Sequence, residues 1–189
     1  MAAPIETFIS VDVESAGPYP ARYSLLSIGA CLVSDPEQGF YIELKPVNRE
    51  KVESAVHVSH LSLDDLQKTG VEPAKAMQQF IDWLNQVAPS SSSRPIMVGF
   101  NASYDWSFID HYFQKYTGDN PFGHGAIDIK AFYMGMIGCA WEETSMIYLS
   151  PRFLKGQQLP HNALADARLQ ADLFRTLLAQ ARGEKVKGR

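Results

Sequence analysis

Two acids stand two residues apart in "TFISVDVE", residues 7–14: Asp12 and Glu14. The surrounding β-branched and apolar side chains read as a strand. Side chains alternate across a strand, so both carboxyls share a face, roughly 6.5–7 Å apart along the chain. They can converge on one cation, or both can be solvated on a half-exposed strand. Ile9, Val11 and Val13 make the other face apolar, which favours a central strand whose acids need a partner. Asp105 lies near the start of "SYDWSFIDHYFQKY", residues 103–116. It precedes Phe108, Ile109 and Tyr112 at helical intervals, so it lies on their inward face. The helix dipole alone would also favour an acid there. Asp166 follows His161 by five residues in "LPHNALADARLQADLF", residues 159–174. Pro160 keeps Leu159 out of helical geometry, and Asn162 suits the helix cap. His161 therefore falls in the loop just outside the helix. From there it is free to swing toward whatever Asp166 binds; the plainer reading is a surface histidine. Four acids and one histidine near element ends suit phosphoryl chemistry with two divalent ions. Such ions sit about 3.5–4 Å apart, need several hard oxygen ligands and keep an open side for substrate. His57, His60, His111 and His124 show no metal-ligand spacing and read as surface residues.

The elements that must position these groups follow from periodicity. Strands are expected at 7–14, 23–33 and 40–45, the last after turn chemistry in "SDPEQG". Short connections make these an antiparallel meander. Residues 73–88 place Met77, Phe80, Ile81, Leu84 and Val87 at helical spacing, with Pro73 suited to the first turn. A buried strand at 95–100, a helix at 103–116 and a strand at 125–130 follow. Residues 131–160 hold a short helix and then irregular chain, and a long helix spans about 163–181. The order β-β-β-α-β-α-β-α-α gives an α/β fold, a mixed sheet with helices on its faces.

The 189 residues and 46% hydrophobic content suit one domain with one core, about 6–180. "PSSSSRP" at 89–95 reads as a surface loop, and the basic tail from 181 reads as frayed. The net charge of −4 gives no long-range help in holding a polyanion, so a nucleic-acid ligand needs a local site or bound cations. Cys31 and Cys139 form no disulfide or metal pattern, which suits a reducing cytoplasm. The start has no signal-peptide character, and the most apolar run is too short to span a bilayer.

"FISVDVES", "VGFNASYDWSFID" and "HNALADARLQADLF" resemble, in order and separation, the three motifs of the DEDDh 3′–5′ exonuclease superfamily. The resemblance covers about residues 6–178. His161, five residues before the acid, matches the histidine branch; Asn162 stands where the other branch has tyrosine. The resemblance implies a ribonuclease H-like fold with a five-stranded mixed sheet. It implies two Mg²⁺ or Mn²⁺ ions held by Asp12, Glu14, Asp105 and Asp166, with His161 as general base. The implied reaction is hydrolysis from the 3′ end of single-stranded DNA or RNA, releasing nucleoside 5′-monophosphates. Ser15 departs from the usual threonine while keeping a hydroxyl, and His60 departs from a common glycine.

Stacking walls for a terminal base are sought in Leu25 or Leu26 opposite Phe108 and Trp106, residues that equally suit core packing. Trp141, Tyr148, Arg152 and Lys155 in the 131–160 segment suit a substrate flap, a homodimer contact or plain packing. Two rival functions remain: a catalytically silent nucleic-acid-binding or subunit-interaction module, which a lost acid or base would favour, and a hydrolase of nucleotides or small phosphodiesters. All five motif positions are filled, which speaks against the silent module.

Overall fold

The computed structural model describes residues 6–89 and 94–184. The serine run and most of the basic tail lie outside the described residues.

β1 (Thr7–Ser15) is the middle strand of a five-stranded sheet ordered β3-β2-β1-β4-β5. It runs antiparallel to β2 (Leu25–Leu32), which pairs antiparallel with β3 (Asp35–Glu43). On its other edge it runs parallel to β4 (Pro95–Gly99), which pairs parallel with β5 (Ala126–Asp128). The central place explains the alternation in the strand. Ile9, Val11 and Val13 face a core built with α3 (Pro73–Val87) and α4 (Ala102–Tyr116), where Phe80 stacks on Phe113. The opposite face carries Phe8, Ser10, Asp12 and Glu14. There α5 (Ile129–Ile137), α6 (Met146–Phe153) and α7 (Ala163–Ala181) pack a second core around Phe174 and Leu177. A third cluster joins Ala16, Tyr23 and Leu26 to Leu63 and Leu66.

The expected mixed sheet and its helical faces are present, with local differences. The short helices α1 (Glu53–Ser59) and α2 (Leu63–Thr69) were absent from the expected order. Seven residues each give too few turns for a periodic apolar stripe. "SDPEQG" mostly forms strand: β3 starts at Asp35, and the ladder jumps from Leu32↔Asp35 to Cys31↔Gly39. Turn-forming residues here make an irregular stretch inside a hairpin. The strand expected over 125–130 ends at Asp128, whose side chain caps α5 by accepting from the Ala131 N–H at 2.9 Å. Part of the supposed irregular stretch is helix α6, with Pro151 tolerated in its closing turns.

One close approach sets the position of α7. Gly29 of β2 pairs with Asp12 and lies directly beneath the backbone of Ala163 and Leu164, the first turn of α7. A Cβ on Gly29 would overlap that backbone. Gly135, in α5, has nothing within 4 Å of the same position. The two glycines should therefore respond with opposite signs to alanine. Gly29→Ala should lose about 1–3 kcal/mol through overpacking. Gly135→Ala should gain up to about 1 kcal/mol from helix propensity. Denaturant unfolding of both variants checks the pair.

Candidate active site

β1 and β4 pair through Ser10↔Val98 and then part. Past that point two side chains enter from the flanking helices. The N–H of Val13, between the two β1 acids, donates to Asp105 Oδ1 at 3.0 Å. Asp105 thus takes the place of a neighbouring strand. It is held there by α4, whose first turn is tied to β5: Asp128 Oδ2 accepts from the Ala102 N–H at 2.7 Å. On its other edge β1 keeps one register as far as Glu14↔Ser27, then shifts between Glu14 and Ser15 to pair Ser15 with Leu25. A bulge of this kind ends regular pairing and turns the strand beside an acid.

α7 brings the last carboxylate. Asn162 caps it, its Oδ1 accepting from the Ala165 N–H at 3.1 Å, as the sequence implied. Asp166 follows in the first turn and is buried. His161 stands outside the helix in the left-handed region, φ 57°, and is exposed. That backbone region is uncommon for residues with side chains, though histidine enters it more readily than most.

The structure thus gathers the predicted residues from three distant stretches of chain. One ligand atom each from Asp12, Glu14 and Asp166 lies within 4.8 Å of the others. Asp105 stands outside that trio, but its charge acts on Asp12. His161 is near enough for its charge to act on Asp166.

All four carboxyls hold their protons more tightly than free acids do. Burial is the leading cause at each. It raises Asp12 well above the usual range, with the charges of Asp105, Asp166 and Glu14 adding to it. Glu14 is pushed up to about 7 by burial and by Asp166. Asp105 reaches about 8 through burial, partly offset by the bond from Val13. Asp166 reaches about 6, with His161 pulling the other way. Among the described residues no Lys, Arg or His nitrogen is in salt-bridge contact with any of the four. Asp166 Oδ1 is buried with no hydrogen-bond partner. An unpaired buried anion is costly, so this donor set fits hard cations and lacks a protein substitute for them.

Beside Glu14 a cleft of about 470 Å³ opens between β1, α1 and α4, lined by Ser15, Pro18, Val52, Ala55, Val58 and Tyr104. Tyr104 OH lies 2.6 Å from Ser15 Oγ. The walls sought from the sequence lie elsewhere: Leu25, Leu26 and Phe108 are fully buried, and Trp106 packs against the same core as Phe108. The apolar side of the cleft was missed because Ala55 and Val58 come from α1 and Val52 from its N-cap, where no element was expected. Tyr104, adjacent to Asp105 in the second motif, was the available signal. A larger cavity of about 560 Å³ behind α1, lined by Arg49, His57 and His60, reaches none of the carboxyls. In the 131–160 segment, Arg152 donates to the Tyr133 hydroxyl at 2.7 Å, a packing role. Lys130 lies 4.1 Å over the Trp141 ring. Tyr148 remains exposed.

Solved structures share this architecture. The nuclease domain of 3′hExo, a DEDDh family member bound to rAMP, superposes with TM-score 0.77 at 14% identity, covering 97% of each chain. Escherichia coli exonuclease I, in complex with a dT13 oligonucleotide, gives 0.69 at 15% identity over 93% of this chain and 41% of that one. These likenesses define the fold class as ribonuclease H-like. The family model described as the 3′-5′ exoribonuclease Rv2179c-like domain matches residues 7–178. Cap18 of Escherichia coli, a 3′-5′ DNA exonuclease, is 45% identical over 172 residues, 91% of each chain. The chain belongs to this Rv2179c-like family and is a 3′–5′ exonuclease.

The raised carboxyls have a consequence for stability. Their pKa values in the folded protein exceed those of the unfolded chain, roughly 4. The folded state therefore binds more protons than the unfolded state between about pH 4 and 8. Without divalent cations, this contribution to stability is intact below pH 4 and lost as pH rises toward 8. The metal-free protein should melt lower at pH 8 than at pH 5, and Asp12→Asn with Asp105→Asn should flatten that slope. Calorimetry in chelator checks it.

Proposed function

We propose that this exonuclease removes nucleoside 5′-monophosphates from the 3′ end of single-stranded nucleic acid, with divalent cations held by the four acids and His161 as general base. The observation that carries the reading is the trio Asp12, Glu14 and Asp166 within 4.8 Å, with Asp166 Oδ1 buried and unpartnered. These three would hold one ion, and Asp12 with Asp105 a second, Mg²⁺ or Mn²⁺. When bound, such ions supply Lewis acidity and offset charge on the attacking and leaving oxygens.

The protein's own groups do the rest. The cleft beside Glu14 receives the terminal nucleoside, its apolar wall of Val52, Ala55 and Val58 facing the base. A narrow wall of this kind suits an unpaired strand end, where a base is free to leave its neighbours. Tyr104 and Ser15 share one hydrogen-bonded edge of the cleft, which orients the sugar. His161, exposed beside Asp166, takes the proton of the attacking water. Water adds to the terminal phosphorus on the side away from the leaving 3′ oxygen. The P–O3′ bond breaks, leaving the phosphate on the released nucleotide, and the departing 3′ oxygen takes a proton from solvent to become the strand's new 3′ hydroxyl. Cap18 acts on DNA by its description, while the family description names RNA, so both are candidate substrates. Its working compartment is proposed to be the cytoplasm, in keeping with two free cysteines.

His161→Ala should lower kcat by about 10²–10⁴-fold and leave the melting temperature unchanged, since the side chain is exposed. Asp166→Asn should remove activity while keeping or raising stability in chelator. The assay offers end-labelled single-stranded DNA and RNA with Mg²⁺ and resolves the products. Wild-type turnover by the His161 variant would overturn the base assignment. Release of 3′-monophosphates, or internal cuts, would overturn the reaction class. In the cleft, Val58→Asp should raise KM for oligonucleotides several-fold with little change in kcat, read from the same assay.

A further inference from the structure

Gln170 lies one helical turn beyond Asp166 on the same face of α7. It is buried, 1% exposed. Its Nε2 donates to Asp12 Oδ1 at 2.7 Å, and its Oε1 accepts from the Phe100 N–H at 3.0 Å. Phe100 directly follows β4, where β4 and β1 have already parted. The side chain therefore bridges the mouth of the split between the two strands. Its orientation is forced: a peptide N–H only donates, so the amide oxygen must meet Phe100 and the amide nitrogen must meet Asp12.

We propose that Gln170 is a positioning residue that fixes the Asp12 carboxylate for cation binding; the proposal rests on the cation reading of the site given above. The chemistry of the donor supports it. An amide orients a carboxylate through a hydrogen bond and leaves its negative charge intact. A lysine or arginine in the same place would cancel the charge that the cations need. The burial of Gln170 against a half-buried Asp12 and the second bond to Phe100 leave the amide no alternative pose, so the carboxylate plane is set before any ion arrives. Partners of this kind behind a metal ligand typically change metal affinity by about 10–100-fold when removed.

Gln170→Met keeps the shape and removes both hydrogen bonds. Leu173→Ala, elsewhere on α7 and fully buried in its core, serves as a control for lost packing alone. Mn²⁺ binding to the metal-free full chain is measured by calorimetry, with kcat and KM on a single-stranded oligonucleotide measured in parallel. Gln170→Met should weaken Mn²⁺ binding about 10–100-fold and lower kcat, with KM for the oligonucleotide changed by less than about twofold. Leu173→Ala should melt lower and bind Mn²⁺ as wild type does. A folded Gln170→Met protein that binds Mn²⁺ like wild type would overturn the proposal. The wild-type protein gives a second reading that does not depend on the variant folding. In nitrogen-15 spectra the Gln170 side-chain amide should be protected from exchange and should shift when Mg²⁺ is added. Free exchange and no shift would overturn the proposal. Absence of any Mn²⁺ binding by the wild type would instead overturn the cation reading itself.

Discussion

Electrostatic repulsion among carboxylates is the constraint around which this molecule is organised. Asp12, Glu14, Asp105 and Asp166 are brought to the end of one strand with no basic partner among the described residues. Left to themselves, such groups would move apart or into water. Packing on both faces of the sheet prevents it. Asp105 is tied to the backbone of β1 through Val13, and the first turn of α7 rests on Gly29 with no room for a side chain between them. The two hydrophobic cores thus hold the acids where electrostatics alone would not put them. Burial then raises the proton affinity of every member. On the proposed reading, divalent cations would relieve both burdens together and give an acidic chain a place for a phosphodiester.

The geometry also explains why β1 must be central. β1 is anchored on both sides as far as Ser10 and stays paired with β2 beyond it, so the two acids are fixed relative to each other by the pleat. The sheet changes character at this strand: it is antiparallel toward β2 and parallel toward β4. Parting of β1 from β4 after Ser10 and Val98 opens a crevice at that change, and the site occupies it. Crevices of this kind are the usual ligand sites of open α/β sheets.

Much of this was legible in the sequence, for identifiable reasons. The strand around Asp12 announced itself by strict alternation, the helix around Asp105 by its apolar intervals, and the start of α7 by Pro160 and Asn162. Each signal was local, and each survives in the structure. What stayed hidden was non-local or short. α1 and α2 have too few residues for a periodic stripe. The cleft wall that α1 helps to build was therefore sought in Leu25 or Leu26, Phe108 and Trp106, whose apolar character reflects the core. Gln170 carried no mark at all. A glutamine in a helix is ordinary, and only the gap between two strands gives it a role.

The bond between Asp12 and Gln170 joins groups 158 positions apart. A ribosome emits the first half of the sheet long before the helix that closes the site. Nucleating such distant contacts is slow compared with winding local helices. The nascent chain therefore carries the opening motif as an incomplete cradle, and the full set of acids meets only once α7 has been made. For a 3′–5′ exonuclease, this topology is a built-in delay: no partial chain that lacks α7 holds all four acids together.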